Sequence, residues 1–140
     1  MKLIGLSLVV MLASCGGGDS LNDFAGTWTP SPGAMLSGTC SNGNPYTVML
    51  TTAEVYAKGV DADITSTSGG CTLRFDVNGK QASARAGQSC TSMSNGITTV
   101  LTVQTTTLTL GSDSKTMTES AMGTVVLSGA VTGTCTAAGT

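Results

Sequence analysis

The chain has 140 residues, a net charge of -2, 10% charged and 4% aromatic side chains, and no histidine. With so few cations and no basic stripe, it lacks the electrostatic footprint of a nucleic-acid binder. Without histidine it cannot run Ser-His-Asp or Cys-His catalysis, and most zinc sites are closed to it.

Met1 to Cys15 reads M-K-L-I-G-L-S-L-V-V-M-L-A-S-C. One cation, Lys2, precedes a weakly polar to apolar run, Leu3 to Leu12, too short to span a bilayer. Small residues then lead to a cysteine, which is the layout of a secretory signal. The ending Leu12-Ala13-Ser14-Cys15 resembles the lipobox of bacterial lipoproteins. The resemblance implies diacylglyceryl transfer to Cys15 Sγ, cleavage after Ser14, and acylation of the new amino terminus by a fatty acid such as palmitate. Two or more acyl chains hold a protein stably on a membrane where one is marginal. Gly16 stands where an aspartate favours inner-membrane retention in many bacteria, so the expected location is the outer membrane. Gly16-Gly17-Gly18-Asp19-Ser20 reads as a flexible linker. The expected organisation is a lipoprotein signal peptide over 1–14, the lipidated cysteine and linker over 15–20, and a single β domain over 21–140.

From Leu21 onward the chain reads as short strands. Phe24 to Thr29 is the first, ended by Pro30, Pro32 and Gly33. Within it, Gly26-Thr27-Trp28 resembles the opening Gly-x-Trp of lipocalin-like and avidin-like barrels. That resemblance implies a closed barrel, with the tryptophan plugging one end and a cavity for a small ligand. The alternative is a plain core aromatic in another β fold. Met35 to Cys40 is a second strand, stopped by Ser41-Asn42-Gly43-Asn44-Pro45. Tyr46, Val48 and Leu50 alternate with Thr47, Met49 and Thr51, as in a half-buried strand.

The stretch 51–59 has two readings. Thr51 and Glu54 have capping-box spacing and Gly59 suits a C′ position, which gives one short helix near 52–58. Equally, it is a strand turning at Lys58-Gly59. Val60, Ala62 and Ile64 alternate again, ahead of a Ser/Thr/Gly loop to Gly70. Cys71 to Arg85 reads as a hairpin. Cys71, Leu73, Phe75 and Val77 share one face, and Asn78-Gly79 suits a type I′ turn. That turn sets Val77 against Lys80, Phe75 against Ala82 and Asp76 against Gln81.

Gly87 to Gly96 reads as a loop carrying Cys90. Ile97 to Val103 and Thr106 to Leu110 are strands whose apolar parity changes between them, which suits a tight turn or a bulge. Lys115 to Glu119 reads as a polar edge. Val125, Leu127, Val131 and Cys135 share one face of a last strand, with Gly129 marking a bulge or close contact, and Thr136 to Thr140 is a loose tail. The sum is an all-β fold: an antiparallel sandwich or barrel of about eight or nine short strands.

Five cysteines leave four once Cys15 is lipidated. An exported domain folds in an oxidising compartment, where Cys40, Cys71, Cys90 and Cys135 can pair. Three connectivities exist for four cysteines. Cys71 with Cys90 brackets the hairpin, and Cys40 with Cys135 follows by elimination.

No Cys-x-x-C, phosphate loop or dinucleotide fingerprint is present, so no cofactor and no metal is expected. Asp61 and Asp63 share a strand face, where a solvated pair outweighs a Ca²⁺ site. Glu54, Asp76 and Glu119 show no catalytic spacing. The expected protein is therefore a lipid-anchored bacterial envelope lipoprotein, not an enzyme, acting as an interaction or structural module. Its partners are the membrane, through Cys15, and a protein of the envelope. Exposed Tyr46 or Tyr56 is the first candidate for contact. The alternatives are a small-ligand-binding lipocalin or avidin-like barrel, or a periplasmic protease inhibitor, a group in which some small bacterial members also open on Gly-x-Trp.

Overall fold

The computed structural model describes residues 20–140. The signal segment 1–14, Cys15 and all of the expected linker but Ser20 lie outside the described residues. The elements are α1 (Ser20–Phe24), β1 (Gly26–Trp28), β2 (Met35–Cys40), β3 (Pro45–Met49), β4 (Glu54–Lys58), β5 (Ile64–Ser68), β6 (Cys71–Asn78), β7 (Gln81–Ala84), β8 (Ser89–Ser94), β9 (Ile97–Leu110), β10 (Met117–Gly129) and β11 (Gly133–Gly139).

All strand pairs are antiparallel, and they join in one sheet in the order β1-β4-β5-β6-β7-β9-β10-β11-β2-β3. The eleventh strand, β8, pairs with the first half of β9. The sheet curls but stays open, with β1 and β3 as its two ends. Trp28 therefore plugs no closed barrel. It packs partly buried against the core, and its Nε1 donates to the Phe24 carbonyl at 2.9 Å.

The centre of the sheet is the long β9–β10 ladder. The parity change between Val103 and Thr106 is a bulge inside one strand of 14 residues, not a turn. Gly123 pairs with Val103 and Met122 with Thr105, so Gln104 is the extra residue. The bulge resets the two-residue alternation. Leu101 and Val103 before it, and Leu108 and Leu110 after it, all point inward. Two cores result. Phe24, Tyr56, Ile64, Phe75, Ala82, Leu108 and Leu110 form one. Val125, Cys135 and Ala137 form the other, with Leu36, Tyr46 and Leu101 against it.

Several expectations are corrected. Residues 52–58 form no helix: 54–58 is β4, because Tyr56 on its inner face completes the first core while the backbone pairs with β1 and β5. The short helix is α1 instead, and it buries Phe24. The strand expected over 60–64 starts at Ile64, and the supposed Ser/Thr loop after it is β5. The segment carrying Cys90 is β8. The polar edge at 115–119 belongs mostly to β10, which ends at Gly129. The supposed last strand is therefore a hairpin, and the supposed loose tail is β11, with Ala137 only 2% exposed.

The β6–β7 hairpin is shifted by two residues from the expected register: Asn78 pairs with Gln81, Val77 with Ala82 and Phe75 with Ala84. The turn is thus Gly79-Lys80, with a φ of +60° at Gly79 and no positive φ at Lys80. Glycine at the first central position is the type II′ preference. A shift of two leaves each side chain on its expected face. The type I′ geometry occurs at Asn95-Gly96, where φ is 51° and 73°, joining β8 to β9.

Both expected disulfides are present. Cys40 and Cys135 are direct partners across β2 and β11, and Cys71–Cys90 ties β6 to β8.

Candidate functional site

Two features stand out, one inside the curl and one outside. Inside, Glu54 and Tyr56 share the inner face of β4, as residues two apart in a strand must. Ser66 is Tyr56's partner on β5. The Glu54 carboxylate, at Oε2, accepts from Tyr56 Oη at 2.8 Å and from Ser66 Oγ at 3.3 Å. Across the interior, Glu119 on β10 is the partner of fully buried Leu108 on β9 and so points inward with it. Burial first, and then the negative Glu54, push the Glu119 carboxyl up to about 7. Burial, followed by the charges of Glu119 and Glu54, lifts the Tyr56 phenol far above its usual range. Tyr56 therefore stays protonated and remains a donor.

Of these groups, Glu119 can take up and release a proton near neutral pH. None of them lines either of two open surface hollows, of about 460 and 480 Å³. The sequence treated Glu54, Asp76 and Glu119 alike. The structure unites Glu54 with Glu119 and leaves Asp76 elsewhere. Asp76 is on the outer face of β6, taking hydrogen bonds from Arg85 Nε and Nη2 at 2.6 to 3.1 Å. Those bonds hold its carboxyl below the usual range. The phase of Glu119 with Met117 and Ala121 was the available signal. Its polar neighbours Thr118 and Ser120 disguised the strand as an edge.

Asp61 and Asp63 lie in the 59–63 turn, not on a strand. Asp63 Oδ2 accepts from the Val77 amide at 2.7 Å, and the Asp61 carbonyl accepts from Arg85 Nη1 at 2.7 Å. Both contacts fasten that turn to the hairpin. Among the described residues, no group of three or more His, Cys, Asp or Glu could hold a metal ion. Neither tyrosine suits the role of an exposed anchor: Tyr56 is 2% exposed, and Tyr46 packs half-buried on the second core.

Outside, charge is segregated. Among the described residues, every charged side chain is Asp23 or falls within 54–85 or 113–119. The part built from β8, the first half of β9, the second half of β10, β11, β2 and β3 carries none. Its outer face is laid out in rows of direct cross-strand partners. One row runs Ser89–Thr102–Thr124–Thr136–Thr39 across five strands. The next runs Thr91–Val100–Val126–Thr134. Hydroxyl- and methyl-bearing side chains stand side by side there at the strand spacing of about 4.8 Å. The large exposed apolar side chains, all but Val55, Val60 and Met122, belong to this uncharged part and its turns.

No family model, curated protein or solved structure matches this chain.

Proposed function

We propose that the chain is a lipid-anchored lipoprotein of the bacterial envelope, held through Cys15, whose β domain is a non-catalytic interaction module. The address rests on the signal-like start and the Leu-Ala-Ser-Cys ending. Gly16 favours the outer membrane. The reading of the domain rests on one observation: its uncharged outer face of hydroxyl and methyl rows. A surface without charge forms contacts through shape and burial, not through long-range attraction. Catalysis needs a poised group that meets substrate. Glu119 and the neighbouring Glu54 face the core and border neither hollow. The partner is a protein of the envelope, not a nucleic acid.

Two measurements test this. Growth with a labelled fatty acid, followed by intact mass, should place lipid on a mature chain that begins at Cys15. The purified lipoprotein in detergent should capture an envelope protein and show no turnover in a broad hydrolase screen. An unlipidated chain starting elsewhere overturns the address. Turnover abolished by Glu119→Gln overturns the non-catalytic reading.

A further inference from the structure

A strand at the end of a sheet exposes unpaired backbone amides and carbonyls, and folded proteins blunt such edges with charges, prolines, bulges or brevity. The two ends of this sheet differ in that respect. At one end β1 has only three residues, and it pairs with charged β4. At the other, β3 has five residues, pairs with β2 alone, and carries no charge; its proline, Pro45, is at the first position and leaves the rest of the edge open.

We propose that the free edge of β3 pairs with β3 of a second copy of this chain, antiparallel and with the two-fold axis at Thr47. Three observations carry this. First, the strand is self-complementary about Thr47. The pairing sets Thr47 against Thr47, Tyr46 against Val48 twice, and Pro45 against Met49 twice. Thr–Thr and aromatic–β-branched pairs are favourable cross-strand neighbours. Tyr46 and Val48 are the partners of Gly38 and Leu36 on the inner face, so the new pairs extend the second core across the axis. Second, two large apolar side chains stay open to solvent on this edge strand, Val48 on its inner face at 38% and Met49 on its outer face at 52%. A second copy sets Tyr46 against each Val48 and Pro45 against each Met49, and so covers both on both chains, as an isologous contact requires. Third, each chain has net negative charge, yet no charged residue lies on this part of the sheet, so like charges do not meet.

This goes beyond the lipoprotein reading and stands without it, since an unlipidated chain has the same edge. The test uses the full chain in detergent. Sedimentation should show a concentration-dependent monomer–dimer equilibrium. Thr47→Lys points outward and places two cations together at the axis. It should weaken the dimer about tenfold or more while leaving the melting curve of the dilute protein unchanged. Thr47→Cys should give a covalent dimer on oxidation, where Ser112→Cys, on a distant turn, does not. A chain monomeric at every concentration overturns the proposal, including the case where another protein's strand takes the edge. So does a dimer insensitive to Thr47→Lys, or a Thr47→Cys chain that fails to cross-link.

Discussion

Glu119 is an acid whose charge the fold disfavours. Folding raises it from an ordinary 4.5 to about 7, by burial beside Leu108 and by the facing Glu54. The folded state thus holds this proton more tightly than the unfolded chain does. Stability from Glu119 is complete below about pH 4.5 and is lost as pH rises through 7. Asp76, pulled the other way by Arg85, acts only at lower pH and with opposite sign. Urea unfolding at intervals from pH 5 to 8 should therefore show declining stability. Glu119→Gln should flatten that decline and be the more stable protein at pH 8, by on the order of 2 kcal/mol. If the variant keeps the wild-type slope, the assignment is wrong. Tyr56→Phe keeps the buried ring and removes the donor to Glu54. Hydrogen bonds to charged groups contribute about 1.5–3 kcal/mol, and a loss of that order is expected in the same assay. None of this pairing was legible in the sequence. Glu54 and Glu119 lie far apart along the chain, and only the curl of the sheet brings them to one interior.

At the level of elements, the sequence was most informative where alternation was clean. Cys71 to Val77, Ile97 to Val103 and Thr106 to Leu110 all lie in strands with the expected faces inward. It failed where polar residues fill a strand. Ser89 to Ser94 has no apolar alternation, so the Asn95-Gly96 turn that closes its hairpin went unused. The Asn78-Gly79 pair was taken as the turn, yet the chain bends one residue later. Local preference proposed two turns of one kind, and the pairing of β7 with β9 selected between registers that keep the same faces. The disulfides were readable because few pairings were open. Cys40–Cys135 closes a separation of 95 residues. On the chain-entropy model, replacing both with alanine should cost about 4–5 kcal/mol in urea unfolding; the Cys71–Cys90 pair, separated by 19, should cost about 3. Equal losses would discount loop length as the cause. Gly38 tests the same corner. A Cβ there meets the Thr136 carbonyl of the neighbouring strand. Gly38→Ala should push β2 off β11 and cost about 1–3 kcal/mol, as overpacking does.

For the molecule as a whole, β10 sets the long axis. It runs 13 residues from Met117 to Gly129, about 40 Å at roughly 3.3 Å each. The helix α1 sits at its Met117 end, where Ser114 Oγ donates to Asp23 Oδ2 at 3.0 Å. The uncharged turns 95–96 and 130–132 sit at the other end. From Cys15 to Ser20 the chain reaches at most about 18 Å. With the anchor proposed at Cys15, the charged end is held near the membrane and the uncharged end projects from it. Trp28, the single tryptophan, packs beside α1 and reports on the near end. Val131 is 46% exposed in the β10–β11 turn and can take a tryptophan at the far end. In vesicles carrying a dansyl-labelled lipid, the wild-type protein should transfer energy strongly from Trp28. The double variant Trp28→Phe, Val131→Trp should transfer weakly. Equal transfer from both positions would mean that the domain lies flat on the bilayer. The reverse order would place the tether at the wrong end of the sheet.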